Sequence, residues 1–404
     1  MKIGLVTLSL SPGGAERLIL EQARDLRERG HTVRIYPEKD YPNFRESVGV
    51  NNIAIQEIPN SGRVLNVPKT DRLKQVRDIR SQILKDGLDF VISHYKDIEV
   101  YLATRGTDIN YACHVNGSPF WFDDNPKLQP HTRKEGYQQQ ISSIDGHATF
   151  QDYHSTPIER LYYECRERLR QEALQESEIV TTLTDRVASE LSFCYEIDPE
   201  VVRPGVSQDW FKISVDIEPR ELPNINTDHM ILNVGRLDRR KRNTLLIKSF
   251  AEFCRRTGRE DVTLVIGGSG KEEDKLKSLV SKVGIESSVV FAGYIPEKDL
   301  PEYYVAADLL AHPAWVAYGL VPLEAYVAGA RVAISTDTMV REIVEGEPGV
   351  SVVPPDVSQW SQKFESLLDN SEHKPNKSAV PTWETFCQSI TQKYADYGLL
   401  KNNT

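Results

Sequence analysis

Apolar residues along this chain fall into short unbroken runs, separated by stretches where they recur every third or fourth position. Ile3, Leu5, Val6 and Leu8 form the first run, and SPGG breaks it. Ala15, Leu18, Ile19, Ala23 and Leu26 then share one helical face that Gly30 closes, and Val33 and Ile35 open a new run. Short apolar runs bounded by turn residues predict buried strands, and the 3.6-residue period predicts a helix. The opening is therefore strand, loop, helix, strand, a right-handed parallel crossover. DFVIS (89–93) and NYACHV (110–115) predict two more strands, and EIVTTLT (178–184) follows a long amphipathic helix that begins near Ile158. The stretch from Gly117 to Pro157 is polar, sprinkled with aromatics and weakly periodic, the pattern of a long functional loop.

A second alternation follows the proline-rich connector 203–225. Its strand runs are MILNVG (230–235), VTLVIGG (262–268), VVFAG (289–293), DLLAH (308–312) and VAIS (332–335). A last helix, from about Thr382 to Leu399, carries Trp383, Phe386, Ile390 and Tyr394. Two successive alternating sets predict two Rossmann-like, doubly wound α/β domains, and 404 residues is a natural length for two.

Composition narrows the setting. A net charge of −10 excludes general nucleic-acid affinity, so any anion site is local. The five cysteines show no C-x-x-C pair or metal-ligand spacing, which predicts free thiols in a reducing compartment. The opening apolar run is too short for a signal peptide, and no window is apolar enough to span a bilayer. The expected location is cytoplasmic. The segment 72–85, RLKQVRDIRSQILK, reads either as an ordinary surface helix or as a peripheral contact at the inner face of an anionic membrane.

Several segments carry candidate chemistry. In HPAWVAYGLVPLEAYVAG (312–329) a glycine turn follows a strand, and Glu324 stands where the next helix is expected to begin, beside its positive end. GRLDRRKRN follows another strand and holds five cations between Arg236 and Arg242. Such a cluster is either a solvated basic face or a cradle for a diphosphate. Gly13 and Gly14 form a strand-to-helix turn that presents N–H groups to an anion or is simply tight. His114 ends a strand ahead of Phe120, Trp121 and Phe122, aromatics that stack on a sugar or fill a gap. IGGSGKEEDKL (266–276) is glycine-rich without a dinucleotide pattern. There is no G-x-S-x-G, no Walker loop and no spaced D-x-D pair; Asp123-Asp124 and Glu272-Glu273 are adjacent.

These segments together resemble the retaining glycosyltransferases of family four, from the opening strand to the tryptophan-led final helix. The resemblance implies a GT-B fold, two Rossmann-like domains facing a central cleft. The acceptor domain would span 1–205, the donor domain 206–381, and the helix 382–400 would pack back on the first. It implies that Arg236 and Lys241, at the family spacing from Gly235 and Leu237, hold the donor diphosphate and act in catalysis with His114. Glu324 would take the ribose hydroxyls. Tyr318, Gly319, Leu320, Glu342, Gly268, Gly270, Gly13 and Gly14 would complete the donor site, and Arg239, Arg240 and Arg242 would remain surface. Val316 stands where the family carries a glutamate that touches the transferred sugar.

The implied activity is metal-independent transfer of a hexose-type sugar from a nucleotide-diphospho-sugar to a glycan, lipid-linked or small-molecule acceptor. No cofactor is expected beyond the donor itself. Two alternatives remain: a catalytically impaired nucleotide-sugar-binding protein or partner subunit, and a GT-B epimerase or hydrolase.

Overall fold

The computed structural model describes residues 1–59, 71–119, 157–213, 217–369 and 374–400. Phe120, Trp121, Phe122 and the Asp123-Asp124 pair lie outside the described residues. The chain forms two compact units, Met1–Pro204 with Trp383–Thr404, and Gly205–Thr382.

The first unit is built on a parallel sheet. Its strands are β1 (Lys2–Ser9), β2 (Thr32–Lys39), β3 (Ala54–Ile55), β4 (Phe90–His94), β5 (Asn110–Val115), β6 (Val180–Thr182) and β7 (Glu200–Val201), in the order β3-β2-β1-β4-β5-β6-β7. All five residues of β4 are buried, as expected of a strand covered by helices on both faces. The helix Gly14–Glu28 turns Leu18, Ile19, Ala23 and Leu26 inward and ends at Gly30, whose φ of 86° is left-handed. The helix Trp383–Asp396 buries Trp383, Phe386, Ile390 and Tyr394. Tyr394 meets Phe90 of β4 edge-on at 5.6 Å, and its hydroxyl accepts a 3.3 Å bond from Gln22.

The second unit repeats the plan. Its strands are β8 (His229–Val234), β9 (Val262–Gly267), β10 (Val289–Gly293), β11 (Leu309–His312), β12 (Arg331–Ser335) and β13 (Val350–Val353), in the order β10-β9-β8-β11-β12-β13, all parallel. On one face Phe253 and Trp360 each meet Phe364 edge to face, and Phe250 lies tilted against Phe253, with ring centres around 6 Å apart. Strand order reverses between β1 and β4 in the first unit and between β8 and β11 in the second. Ligands of doubly wound sheets bind beyond the carboxyl ends of the strands at such reversals. Among the described residues no helix is long and apolar enough to cross a membrane.

Candidate functional site

In the second unit the reversal sits between the end of β8 at Val234 and the end of β11 at His312. Three loops meet there. The first leaves β8 at Gly235, with φ of 156°. The second leaves β9 at Gly268, with φ of 123°. A side chain on Gly268 would overlap the Gly235 carbonyl, and one on Gly270 would overlap the Leu237 carbonyl. Leu237 N–H donates to Ser269 O at 2.9 Å, which joins the two loops. The space at Gly268 and Gly270 is thus taken by the protein's own backbone. The absence of a side chain at these glycines lets the loop from β8 lie against the loop from β9.

That loop then aims its cations. Asp238 accepts from Arg240 N–H at 3.0 Å and caps a single 3-10 turn, Arg239–Lys241. Arg236 is exposed, with its guanidinium 3.9 Å from Asp238. Lys241 is half-buried, and its stem lies across Gly235, with Cε 3.4 Å from where a Gly235 Cβ would be. Among the described residues its amine has no hydrogen bond or ion pair. Burial pushes the amine down to about 8; Asp238 opposes this, while Arg236 and Arg240 add to it. Arg242, expected at the surface, is instead a half-buried ion-pair partner. Its guanidinium donates to Asp337 at 2.6 Å and to Ser335 Oγ at 3.3 Å beyond β12. A left-handed φ of 52° at Arg242 turns it that way, and a helix follows at Asn243–Thr257.

The third loop leaves β11. Trp315 N–H donates to Arg240 O at 2.9 Å, tying it to the cationic loop. Val316 pairs its backbone with the segment after β12, donating to Asp337 O at 3.3 Å and accepting from Met339 N–H at 3.1 Å. Gly319, with φ of 108°, caps the helix Leu320–Ala328. Tyr318 is buried, and its carbonyl accepts from Val340 N–H at 3.3 Å. Glu324, expected at the helix start, lies a turn further in, because Gly319 already begins the helix. It is buried and accepts a 3.2 Å bond from Tyr304 on the helix Leu300–Ala306. Burial, then Glu324, holds the Tyr304 hydroxyl well above its usual range, so it stays a donor. Glu342 is exposed on the short helix Arg341–Val344.

The other predicted residues belong to the first unit. Gly13 and Gly14 start the helix Gly14–Glu28 at the end of β1, and the place of a Gly13 side chain is occupied by the Glu16 carboxylate. His114 is fully buried near the end of β5. Its Nδ1 shares a 2.7 Å hydrogen bond with the Thr181 hydroxyl, and its ring lies 5.1 Å from His94 and 6.2 Å from Phe386. Burial holds it down to about 3, so it is neutral at physiological pH. Sequence reasoning did not find Tyr304 or Asp337, which partner Glu324 and Arg242 from outside the motifs. It also gave no role to His312, which ends β11 much as His114 stands one residue from the end of β5.

Doubly wound units, one of which sets a lysine, a helix N-terminus and a buried carboxylate at its strand reversal, define a Rossmann-type protein. The model of Glycosyltransferase Family 4 matches residues 12–210, and that of Glycosyl transferases group 1 matches residues 214–379. The chain belongs to this glycosyltransferase family. It is 28% identical over 254 residues to a D-inositol 3-phosphate glycosyltransferase of Corynebacterium jeikeium, a match that takes in 58% of this chain and 61% of that relative's length. With the protein of that name from Corynebacterium diphtheriae identity is 22%, over 99% of this chain and 96% of the relative. The crystal structure of Anabaena HepE in complex with UDP and glucose superposes with a TM-score of 0.72 at 18% identity, over 98% of this chain and 100% of that one. The shared fold is GT-B.

Proposed function

We propose that the chain is a retaining hexosyltransferase that draws its sugar from a nucleotide-diphospho-sugar and needs no metal ion. The observation that carries this reading is Lys241. It is a half-buried lysine without a bonded counter-ion among the described residues, held at the strand reversal where a diphosphate would lie. Anionic oxygens there would restore its full charge and accept charge-assisted bonds. In this reading Glu324, which accepts a hydrogen bond from Tyr304, would take the ribose hydroxyls.

In this reading the bond between the anomeric carbon and the diphosphate oxygen breaks, and the diphosphate leaves with the electron pair. The acceptor hydroxyl attacks from the same face and passes its proton to the departing phosphate. Arg236 and Lys241 stabilise the charge that develops. Within the first unit, neutral His114 would offer a hydrogen bond to an acceptor hydroxyl. The HepE structure with UDP and glucose, and the relatives named for D-inositol 3-phosphate, support UDP-hexoses and polyol phosphates as the first donors and acceptors to test. A glycan or lipid-linked acceptor at a membrane face is the next class.

A second reading has one observation in its favour. The apolar side chain of Val316 lies beside the Gly319 turn, where the resemblance expects a glutamate. A protein that binds nucleotide sugar without transferring it would tolerate that change.

The test is a thermal-shift panel of UDP, GDP and ADP on the native protein and on Glu324→Ala, followed by transfer assays with and without EDTA. A shift selective for one nucleotide that is lost in the variant is expected, and transfer should survive chelation. Absence of any shift in the folded native protein would overturn the donor site. Binding without transfer to any acceptor would favour the second reading, and activity lost to EDTA and restored by Mg²⁺ would overturn metal independence.

A further inference from the structure

His312 ends β11 at the strand reversal and is fully buried, yet neither ring nitrogen has a hydrogen-bond partner among the described residues. Buried polar side chains are nearly always paired, and an exception at a ligand-binding edge calls for an explanation. The surroundings supply one. A Cβ placed on Gly319 would sit 3.8 Å from His312 Nε2, 3.3 Å from a Val316 methyl and 3.5 Å from the Thr338 methyl. Of these three nearest atoms only the imidazole nitrogen is polar, and an atom placed there needs the Val316 methyl to give by a few tenths of an ångström. That point lies at the cap of the nine-residue helix Leu320–Ala328, whose first N–H groups carry positive potential. Burial, and then the nearby charge of Lys241, keep the ring uncharged, so each nitrogen is free to act in either tautomer.

A helix N-terminus and an imidazole nitrogen therefore border one point, the charge of Lys241 reaches the ring, and among the described residues no carboxylate bonds either side chain. An anionic oxygen satisfies all three; a sugar hydroxyl would leave the lysine and the helix end unmatched. We propose that His312 is a further donor-binding residue, whose Nε2–H donates to an oxygen of the outer phosphate of a nucleoside diphosphate in the space that Gly319 leaves open. The inference rests on the donor reading of this site and adds a residue to it.

The experiment is calorimetry with UMP, UDP and UDP-glucose on the native protein, His312→Phe and His312→Gln. Phenylalanine keeps a ring but removes the donor, whereas glutamine returns an N–H near the position of Nε2. The phenylalanine variant should weaken UDP binding about tenfold, the size of one charge-assisted hydrogen bond, with less than about twofold change for UMP. Glutamine should recover most of the loss. Equal losses for UMP and UDP, no loss in a folded variant, or a loss confined to UDP-glucose would each overturn the proposal, the last by assigning the ring to the sugar. Should the phenylalanine variant not fold, nitrogen-15 spectra of the native histidines decide. The ring signals of the residue missing in His312→Gln must move with UDP and not with UMP. If the native protein binds no nucleoside diphosphate, the donor reading falls first, and this inference falls with it.

Discussion

Lys241 ties charge to pH at the scale of a single residue. In the free protein its amine is pushed down to about 8, so near that pH about half of the molecules hold it neutral. A bound diphosphate favours the ammonium and raises the value again. Binding at pH 8.5 should therefore take up a proton, while binding at pH 6.5 should not, and affinity should fall as pH rises through 8. Calorimetry in buffers of different ionisation enthalpy reads this directly. An equal and negligible uptake at both pH values would remove Lys241 from the diphosphate. At this scale the sequence was partly legible. Lys241 and Glu324 stand at family spacing in motifs that can be read along the chain. Tyr304 cannot be read that way, because it reaches Glu324 from another helix with no pattern linking the two positions. Arg242 was indistinguishable from its basic neighbours until the backbone turned it towards Asp337.

Elements make a different kind of prediction. Gly268 and Gly258 both have positive φ, 123° and 69°, but only Gly268 has another backbone where its side chain would be. Gly258→Ala should cost about 1 kcal/mol, the ordinary penalty of that conformation. Gly268→Ala should cost at least about 2 kcal/mol more in urea unfolding, because the loops at Gly235 and Gly268 must part. It should also weaken nucleotide binding, since Lys241 rests on Gly235. Similar losses in the two variants would mean that the loop contact is soft. The strands with long apolar runs, such as β1, β4 and β9, were visible because burial on both faces demands such runs. β3, β7 and β13 were not. Two of them are two-residue pairings, all three are outermost in their sheets, and β13 is mostly half-buried, so none needs a distinctive run.

For the whole molecule, the alternation of strands and helices was enough to predict two doubly wound sheets, because each crossover needs its helix and leaves a period to read. What it could not supply was the register by which the final helix seats Tyr394 against Phe90 and Gln22. Deleting Trp383–Thr404 should remove the cooperative melting of the first unit, which loses the buried side chains of Trp383, Phe386, Cys387, Ile390 and Tyr394. The second unit should keep its own transition in differential scanning calorimetry. Two undisturbed transitions would show that the helix is dispensable.

The placement of that helix also bears on how the protein is made. The second unit is an insertion: the chain leaves the first unit at Pro204 and returns to it at Trp383. Entry and exit lie side by side, with Val206 bridging Thr382 and Gly205 against the Thr382 backbone. During synthesis the strands of the first unit emerge early, yet a part of their cover is translated only after the whole inserted unit. The segment begun first is thus completed last. For that interval it exposes the apolar surface that Trp383, Phe386, Ile390 and Tyr394 will cover, the kind of surface that chaperones bind.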